Sequence, residues 1–268
     1  MTKDNIKLIA SDIDGTLIDD NDELPENFDA VINELNKRGI MFVAASGRGI
    51  SSIKSKIQND SENVFIVSDN GAVLQHKGKT FFQNNFSNDE VKEIVSVFRK
   101  YSEASIIATN PEMSYCELHP DHNEDFLKEF FVDYKIVDDI TKCNSDFVKI
   151  TVRSDNHTSE NLKLSESIAL SKKHHLVRAG IPWTDIMKAD SNKGNALEVL
   201  LDYLKIKPEE TIGFGDYHND IHMLEVVGKS YSMQEAHKDV KAMTDETIGS
   251  NNDNAVLKKI IELLELDI

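Results

Sequence analysis

Residues 6–17 read IKLIASDIDGTL, a short apolar run that leads directly into two aspartates, a glycine and a threonine. Residues 6–10 have the length and apolar character of a buried β-strand. Gly15 allows the chain to leave strand geometry, so Asp12 and Asp14 can turn to one side of the strand end. Crowded carboxylates repel each other unless a cation neutralises them. Because Mg²⁺ typically binds one or two carboxylates, waters and substrate phosphate, this stretch predicts a strand that ends at a magnesium site.

Two further apolar runs follow the first, and each ends in polar or glycine-containing residues. Residues 40–45 lead into Ser46-Gly47-Arg48, and residues 64–67 lead into Ser68-Asp69-Asn70-Gly71. Between the first two runs, apolar residues at 28, 31, 32 and 35 follow helical spacing. Strands that alternate with helices are typical of a parallel sheet. Ligands of such sheets bind beyond the carboxyl ends of the strands, where these polar residues are expected.

The pattern changes after residue 71 and returns near residue 190. Residues 72–75 and 80–83 predict a hairpin, and helical segments (91–101, 124–130 and 162–170) then alternate with short strands such as Phe147–Val152. A Leu-rich helix, a strand at Thr211–Phe214 and a last helix near 254–266 resume the first pattern. We therefore predict an α/β protein with a Rossmann-like parallel-sheet core, helices on both faces, and an inserted α+β domain. The predicted core is 1–83 with 188–268, and the insertion is 84–187.

Charge and composition restrict the expected partners. The 268 residues include 30 Lys and Arg and 47 Asp and Glu, so the formal net charge is 30 − 47 = −17. A field of this sign repels a phosphate backbone, so no nucleic-acid partner is expected, and an anionic substrate needs a local cationic pocket or a metal ion. Two cysteines do not indicate a disulfide framework, and no stretch approaches the roughly 20 apolar residues of a membrane helix. A cytoplasmic protein without a membrane partner is expected.

Four motifs, in order, resemble those of the haloacid dehalogenase phosphatases. Residues 12–17 (Asp-Ile-Asp-Gly-Thr-Leu) are similar to the first motif, and Ser46-Gly47-Arg48 is similar to the second. Lys193-Gly194, at the start of the Leu-rich helix, is similar to the third, and Gly215-Asp216-x-x-Asn219-Asp220 to the fourth. The insertion, with Asn70-Gly71-Ala72 and Asp185-Ile186-Met187, resembles the Cof-type subfamily, whose members carry an α/β cap over the site. The resemblance spans essentially the whole chain.

The resemblance implies Mg²⁺-dependent hydrolysis of a small phosphorylated metabolite through an aspartyl-phosphate on Asp12. Asp14 is expected to act as general acid and base, which requires it to be protonated when substrate binds. The implied metal ligands are Asp12, the backbone carbonyl of Asp14, and Asp216, with Asp220 as an outer or alternative ligand. Ser46, Gly47 and Lys193 are expected to bind the phosphate, and Asn219 to orient the Asp12 side of the site.

Some residues depart from the family pattern, and others resemble motifs of different metal sites. Tyr217 replaces a small residue, and Gln234-Glu235 replaces the usual Gly-Asn, which leaves their effect on a nearby loop open. A calcium loop fails because its sixth position, which requires glycine, holds Leu17. Zinc at His218 and His222 is less favoured, because Asn219 stands where a zinc helix has its catalytic glutamate. Cys116, His119 and His122 offer three ligands without an evident fourth.

The motifs are also compatible with two rival functions, and they do not identify the substrate. A phosphomutase of the same superfamily shares the core and the cap, and a sensor of a phosphorylated metabolite would bind without turnover. Substrate specificity is expected in the insertion, where Asp185, Arg178 and Trp183 are candidates because they lie near the return to the core. Sugar phosphates and phosphorylated cofactors both suit the subfamily. A monomer or a homodimer is expected.

Overall fold

The structure, a computed structural model, describes residues 5–58, 63–100, 104–131, 133–154, 170, 172–178 and 183–268. In chain order the helices are α1 (Phe28–Lys37), α2 (Ile50–Lys56), α3 (Asn88–Phe98), α4 (Asp125–Phe130), α5 (Lys193–Leu204), α6 (Ile221–Val226), α7 (Lys238–Met243) and α8 (Ala255–Leu264). The strands are β1 (Leu8–Asp12), β2 (Met41–Ala45), β3 (Val64–Ser68), β4 (Val73–His76), β5 (Lys79–Gln83), β6 (Ala104–Thr109), β7 (Ser114–Glu117), β8 (Tyr134–Ile136), β9 (Lys149–Ser154), β10 (His174–Arg178), β11 (Trp183–Lys188), β12 (Thr211–Gly215), β13 (Lys229–Ser232) and β14 (Glu246–Thr247).

The chain divides into two compact units. Unit 1 comprises Met1–Phe82 and Asn192–Ile268, and unit 2 comprises Gln83–Ser191. The predicted boundaries, after residues 83 and 187, differ from these by one residue (83 − 82) and four residues (191 − 187). The role of the insertion as a specificity domain remains a prediction.

Unit 1 is built on an eight-stranded sheet with the order β14-β13-β12-β1-β2-β3-β4-β5. The strands from β14 to β3 pair in parallel, and β4 runs antiparallel to β3. The predicted hairpin is present as β4 and β5, with Lys77 and Gly78 at φ 47° and 72° between them. Two such left-handed residues form a turn that suits a tight hairpin.

Helices cover both faces of this sheet, as predicted. On one face, Ala10, Val43 and Val67 pack in a buried cluster with Leu197 and Leu200 of α5. On the other face, the Phe42 ring lies 5.7 Å from that of Phe28 in α1, at an interplanar angle of 77°. Parallel strands that are buried on both faces read as continuous apolar runs, which explains why β1 to β3 are recognisable in the sequence.

Unit 2 is built on a separate six-stranded sheet with the order β10-β11-β9-β6-β7-β8. Its pairs are antiparallel except β7 with β8. α3 packs Ile94 and Phe98 against one face of the sheet, where Ile106 and Ile150 lie in the same buried cluster. Leu127 of α4 packs with Ile107 and Cys116 on the other face. The helix predicted at 162–170 lies outside the described residues except for Leu170.

Candidate active site

The carboxyl ends of β1, β2 and β12 lie side by side in the sheet of unit 1. β1 pairs with β2 on one side, with Asp12 opposite Ala45, and with β12 on the other. Asp12 is the last residue of β1, Ser46 follows the end of β2, and Gly215 ends β12. Three of the four motifs therefore meet at one edge of the sheet, where a parallel sheet binds its ligand.

The charged cluster at this edge consists of Asp12, Lys193, Asp216 and Asp220. Lys193, the first residue of α5, donates from Nζ to Asp12 Oδ1 at 2.5 Å and to Asp220 Oδ1 at 2.6 Å. Lys193, Asp12 and Asp220 are all buried, and Asp12 Oδ2 has no hydrogen-bond partner. Carboxylate oxygens of Asp12, Asp216 and Asp220 lie within 4.8 Å of one another. With every group ionised, the formal charge of this cluster is 1 − 3 = −2.

The electrostatics of the charged cluster reflect this excess of negative charge. Burial raises the pKa of Asp12 well above its ordinary value, and the Asp220 carboxylate adds to the effect while Lys193 opposes it. Burial and Asp220 also raise the pKa of Asp216, to about 6. Burial acts to lower the pKa of Lys193, but Asp12 and Asp220 outweigh it and the pKa lies above its ordinary value. A bound cation would relieve the repulsion between carboxylates that adds to the effect of burial on the two aspartate pKa values.

Short-range geometry fixes the carboxylates of the charged cluster. Asp220 Oδ2 accepts hydrogen bonds from the backbone N–H groups of Asp216 at 2.9 Å and Tyr217 at 3.1 Å. Thr16 Oγ1 donates to Asp216 Oδ1 at 3.5 Å. Gly15 has φ 74°, and a Cβ atom there would lie 2.7 Å from Asp216 Oδ2. Only glycine combines this positive φ with the absence of a Cβ atom, so Gly15 leaves room for the Asp216 carboxylate beside the first motif.

The side chain of Asp14 belongs to a second group of polar residues. Asp14 accepts from Arg48 Nε at 2.9 Å and Nη2 at 2.5 Å, and from Ser46 Oγ at 3.1 Å. Arg48 Nη2 also pairs with Asp22 at 2.7 Å, and Asp22 pairs with Lys56. The sequence analysis predicted no function for Arg48, although it lies in the second motif, and it missed Asp22. The structure brings the second-motif serine to Asp14.

A third group links the second and fourth motifs through Asn70. Asn219 Nδ2 donates to Asn70 Oδ1 at 3.1 Å. A Cβ atom on Gly47 would approach the Asn70 amide at 3.1 Å, which is tighter than most real contacts. Asn70 has φ 51°, a left-handed conformation that asparagine tolerates better than most residues. Sequence reasoning used Asn70 only as a subfamily signature, and the structure gives it a contact at the site.

A model of the haloacid dehalogenase-like hydrolases matches residues 9–260. The chain belongs to this family. The family that the four motifs predict is therefore confirmed, and so is the predicted enzyme class, a phosphatase. This family membership covers both units, because the match extends across the insertion.

Among the relatives of this phosphatase are two named 5-amino-6-(5-phospho-D-ribitylamino)uracil phosphatases. The chain is 27% identical over 263 residues to YbjI of Escherichia coli (strain K12), with 97% of each chain covered. It is 26% identical over 268 residues to YitU of Bacillus subtilis (strain 168), with 97% of this chain and 98% of the relative covered. A crystal structure from Eubacterium rectale matches with a TM-score of 0.88 at 29% identity, covering 97% of this chain and all of the other. One from Thermotoga maritima matches in fold, with a TM-score of 0.83, 22% identity and 98% of each chain covered. The predicted fold class is confirmed.

The three predicted substrate residues of this phosphatase lie in unit 2. Asp185 of β11 accepts a hydrogen bond from Thr151 Oγ1 at 2.7 Å. Trp183 is partly buried, and its ring lies 5.6 Å from that of Phe126. Arg178 ends β10 opposite Thr184, and its side chain lies outside the described part of the chain. Their role in substrate binding stays a prediction.

The alternative metal motifs, which the sequence disfavours, do not assemble in the described residues. Cys116, His119 and His122 form no group of three metal ligands there, and burial raises the pKa of the Cys116 thiol to about 12. His222 pairs with Glu225 at 3.6 Å, whereas His218 lies with His237 and Asp239.

The departures at Tyr217, Gln234 and Glu235 leave these side chains exposed. Gln234 contributes its backbone N–H to a hydrogen bond with the Gly249 carbonyl at 3.1 Å. Tyr217 likewise contributes its backbone to the site, through the bond to Asp220. None of the helices in the described ranges combines the length and apolar character that crossing a membrane requires.

Proposed function

We propose that this phosphatase hydrolyses a small phosphate monoester in two steps, with Asp12 as the nucleophile. The observation that carries the proposal is the state of the Asp12 carboxylate. One oxygen is held by the Lys193 ammonium, and the other is buried without a partner in a cluster of three carboxylates. A buried oxygen with no hydrogen bond is costly to keep. It is therefore well suited to an atom that reacts or binds a cation.

The residues of the charged cluster fit a magnesium ion. Three carboxylates within 4.8 Å supply the hard oxygen ligands that Mg²⁺ prefers. The excess negative charge of the cluster, which adds to burial in raising the pKa values of Asp12 and Asp216, indicates that the cluster lacks positive charge. Asp12, the backbone carbonyl of Asp14, and Asp216 would hold the ion, with Asp220 in outer contact. When bound, Mg²⁺ would offset the repulsion between the substrate phosphate and the carboxylates.

In the first step, an Asp12 carboxylate oxygen attacks phosphorus and the bond from phosphorus to the ester oxygen breaks. Lys193 fixes Asp12 through Oδ1 and leaves Oδ2 free to react. Ser46, the backbone at Gly47, and Lys193 bind the phosphoryl oxygens, and such oriented donors stabilise the transferring group. Asn219 holds its part of the site in place through Asn70. The products are an alcohol and a phosphorylated Asp12.

Asp14 moves the protons in both steps. It gives a proton to the leaving oxygen in the first step. In the second step it takes a proton from the water that attacks phosphorus, while the bond from phosphorus to the Asp12 oxygen breaks and inorganic phosphate and the Asp12 carboxylate are released. The contacts with Arg48 are those of an ionised carboxylate, which is the form required in the second step. The first step requires a protonated Asp14, so Arg48 must release it when substrate enters. Asp22, which already shares the Arg48 guanidinium, offers an alternative partner.

For the substrate we propose a sugar or polyol phosphate, or a phosphorylated cofactor of similar size. The names of the two ribitylaminouracil phosphatases support a primary phosphate on a polyol chain as the first class to test. Asp185 in unit 2 offers a carboxylate that could accept hydrogen bonds from polyol hydroxyls, although Thr151 occupies one oxygen. Unit 2 is proposed to carry this selectivity.

The decisive experiment measures phosphate release from p-nitrophenyl phosphate and a panel of phosphorylated metabolites. The panel includes 5-amino-6-(5-phospho-D-ribitylamino)uracil, hexose phosphates and pyridoxal phosphate. We expect release in Mg²⁺, none in EDTA, and none from Asp12→Asn in either condition. Asp202→Asn on α5 is the matched control, because Asp202 is exposed and pairs only locally with Lys205; it should keep the wild-type rate.

Three outcomes would contradict the proposal. Full activity in Asp12→Asn would rule out the nucleophile. Turnover that requires a sugar bisphosphate, with phosphate moved within the sugar rather than released, would make the protein a phosphomutase. Tight binding of a phosphorylated metabolite without any release would favour the sensor.

A further inference from the structure

Two histidines and an aspartate converge beside the loop of the fourth motif, and the proposed reaction uses none of them. Asp239 Oδ2 lies 3.1 Å from His218 Nε2 and 3.4 Å from His237 Nδ1. One ligand atom from each of the three residues lies within 4.8 Å of the others. The two imidazole rings are 4.1 Å apart between centroids. We call these residues the His-Asp site.

The spacing of these atoms matches that of ligands around one tetrahedral transition metal. Zinc binds histidine nitrogen at about 2.0–2.1 Å and carboxylate oxygen at about 2.0–2.2 Å. Neighbouring corners of a tetrahedron lie about 1.6 times the bond length apart, which gives roughly 3.3 Å for these bonds. The two observed spacings of 3.1 and 3.4 Å lie on either side of this value. A His–Asp hydrogen bond accounts for His218 alone. His237 Nδ1 approaches the same carboxylate oxygen and also accepts the backbone N–H of Asp239 at 3.3 Å, so a bound ion would replace this helix-capping bond.

The chemistry of the ligands separates this site from the charged cluster. Imidazole nitrogen suits zinc, nickel and copper, while carboxylate and carbonyl oxygens suit magnesium. We propose that His218, His237 and Asp239 bind a zinc-class divalent ion, with water at the fourth position. The three side chains are 46%, 31% and 56% exposed, so an ion reaches them without unfolding of the chain.

The backbone around the His-Asp site joins two elements of unit 1. His218 belongs to the loop between Asp216 and Asp220, and Asp239 lies in the first turn of α7. His237 precedes α7, and its N–H donates to the Asp216 carbonyl at 2.8 Å. A metal bound to all three side chains therefore cross-links the fourth-motif loop to α7. Because the ion binds only the folded chain in this way, it should raise the melting temperature.

The test uses the full chain without a histidine tag, saturated with Mg²⁺ so that the charged cluster is occupied. Zn²⁺ binding is measured by titration calorimetry, and Co²⁺ replaces Zn²⁺ to report tetrahedral geometry by visible absorption. We expect one equivalent of Zn²⁺, a tetrahedral Co²⁺ spectrum, and a rise in melting temperature with Zn²⁺. His237→Ala and Asp239→Asn should each weaken binding by about tenfold or more and reduce the Co²⁺ absorption.

Two control variants make the assignment sharp. His222→Ala removes an exposed histidine from the neighbouring helix that lies outside the His-Asp site, so Zn²⁺ affinity should not change. Asp12→Asn disables the charged cluster, and the Zn²⁺ affinity of this variant should also equal that of the wild type. Loss of Zn²⁺ binding in Asp12→Asn with none in His237→Ala would place the ion at the charged cluster and overturn the proposal. Equal binding by the wild type, His237→Ala and Asp239→Asn would also overturn it. None of these readouts depends on phosphatase activity.

Discussion

Units 1 and 2 place their charged residues in different ways. In unit 1, Lys193 is fully buried between Asp12 and Asp220. In unit 2, one ion-pair network is partly exposed to solvent, where Arg99 pairs with Glu117 at 2.7 Å and Asp139 at 2.5 Å. Buried charges are costly to desolvate and are destabilising when one partner is lost, whereas surface pairs contribute little.

The difference indicates which unit carries the chemistry. Unit 1 keeps three close carboxylates, an unfavourable arrangement that folding alone does not require and that the proposed metal ion and phosphate group would explain. Unit 2 has an ordinary apolar core around α3. Changes in the charged cluster should therefore reduce activity, and changes in the core of unit 2 should reduce stability while leaving metal binding intact.

Removal of the buried ammonium should have the largest effect. Lys193→Met leaves Asp12 and Asp220 buried without their cation, which should cost about 3–5 kcal/mol of unfolding free energy in EDTA. The loss of a phosphate-binding donor should lower kcat by about 10²–10³-fold in Mg²⁺. Urea unfolding and steady-state kinetics measure the two effects. Lys205→Met, an exposed lysine that ends the same helix, serves as control. A Lys193→Met enzyme with near-normal kcat would mean that this buried pair is structural only.

A cavity in unit 2 should affect stability alone. Phe98 of α3 is completely buried, so Phe98→Ala should lower the unfolding free energy by about 3–5 kcal/mol. Phe81, which is 40% exposed in β5, provides a control in unit 1, and Phe81→Ala should cost clearly less. Urea unfolding gives both values, and calorimetry gives the Mg²⁺ affinity. If Phe98→Ala weakens Mg²⁺ binding as much as it weakens folding, the two units do not behave separately.

A single methyl group should disturb the charged cluster. In Gly15→Ala the new Cβ would lie 2.7 Å from Asp216 Oδ2, and the residue would sit at φ 74°, which alanine adopts with strain. The Asp216 carboxylate must shift, and small displacements of catalytic groups cost up to about 10²-fold in rate. We expect a loss of kcat/KM of that order and weaker Mg²⁺ binding. Gly78→Ala, also at positive φ but in open space, controls for backbone strain. Equal losses in both variants would contradict a steric effect on Asp216.

The sequence predicts unit 1 far better than unit 2. β1, β2, β3 and β12 are continuous apolar runs because both faces of a parallel sheet are buried, and each motif directly follows one of them or begins a helix. In unit 2, the strand predicted at Phe147–Val152 overlaps β9, which spans Lys149–Ser154. The strand order is not predicted, because antiparallel pairing of short strands is set by distant residues. β9, for example, pairs with both β6 and β11.

Contacts within the site exceed what sequence reasoning could reach. Lys193 and Asp12 are 181 positions apart, and a lysine at the start of a helix is ordinarily solvated. Its burial follows from the packing of α5 on the sheet, which local propensity does not encode. The Arg48 contact with Asp14 and the Asn70 contact with Asn219 have the same origin. Residue types and motif order predict which residues matter, and tertiary packing decides their partners.

The smallest expected effect is on the pH dependence of the free energy of unfolding, to which the two units contribute with opposite signs. Burial raises the pKa of Asp216 in unit 1 to about 6, and burial lowers the pKa of His174 in unit 2, although Glu90 opposes the latter. Between the ordinary aspartate pKa and pH 6, the folded chain holds a proton on Asp216 that the unfolded chain releases, so this group favours folding less as pH rises through that range. As pH falls below the ordinary histidine pKa, the unfolded chain protonates at His174 before the folded chain does, so stability falls.

Variants isolate these two opposite contributions in EDTA. The stability gain of Asp216→Asn over wild type should grow as pH rises from the ordinary aspartate pKa to about 6, and it should stay constant above that. The free energy of unfolding of His174→Gln, relative to that of the wild type, should rise as pH falls below the ordinary pKa of histidine. After allowance for solvent screening, each change should be about 1 kcal/mol or less, measured by urea unfolding across the pH range. Mg²⁺ should reduce the Asp216 effect, because a cation at the charged cluster would offset the Asp220 contribution that adds to burial. It should leave the His174 effect, because His174 lies outside this cluster. A Mg²⁺-sensitive His174 effect would show that the electrostatics of the two units are linked.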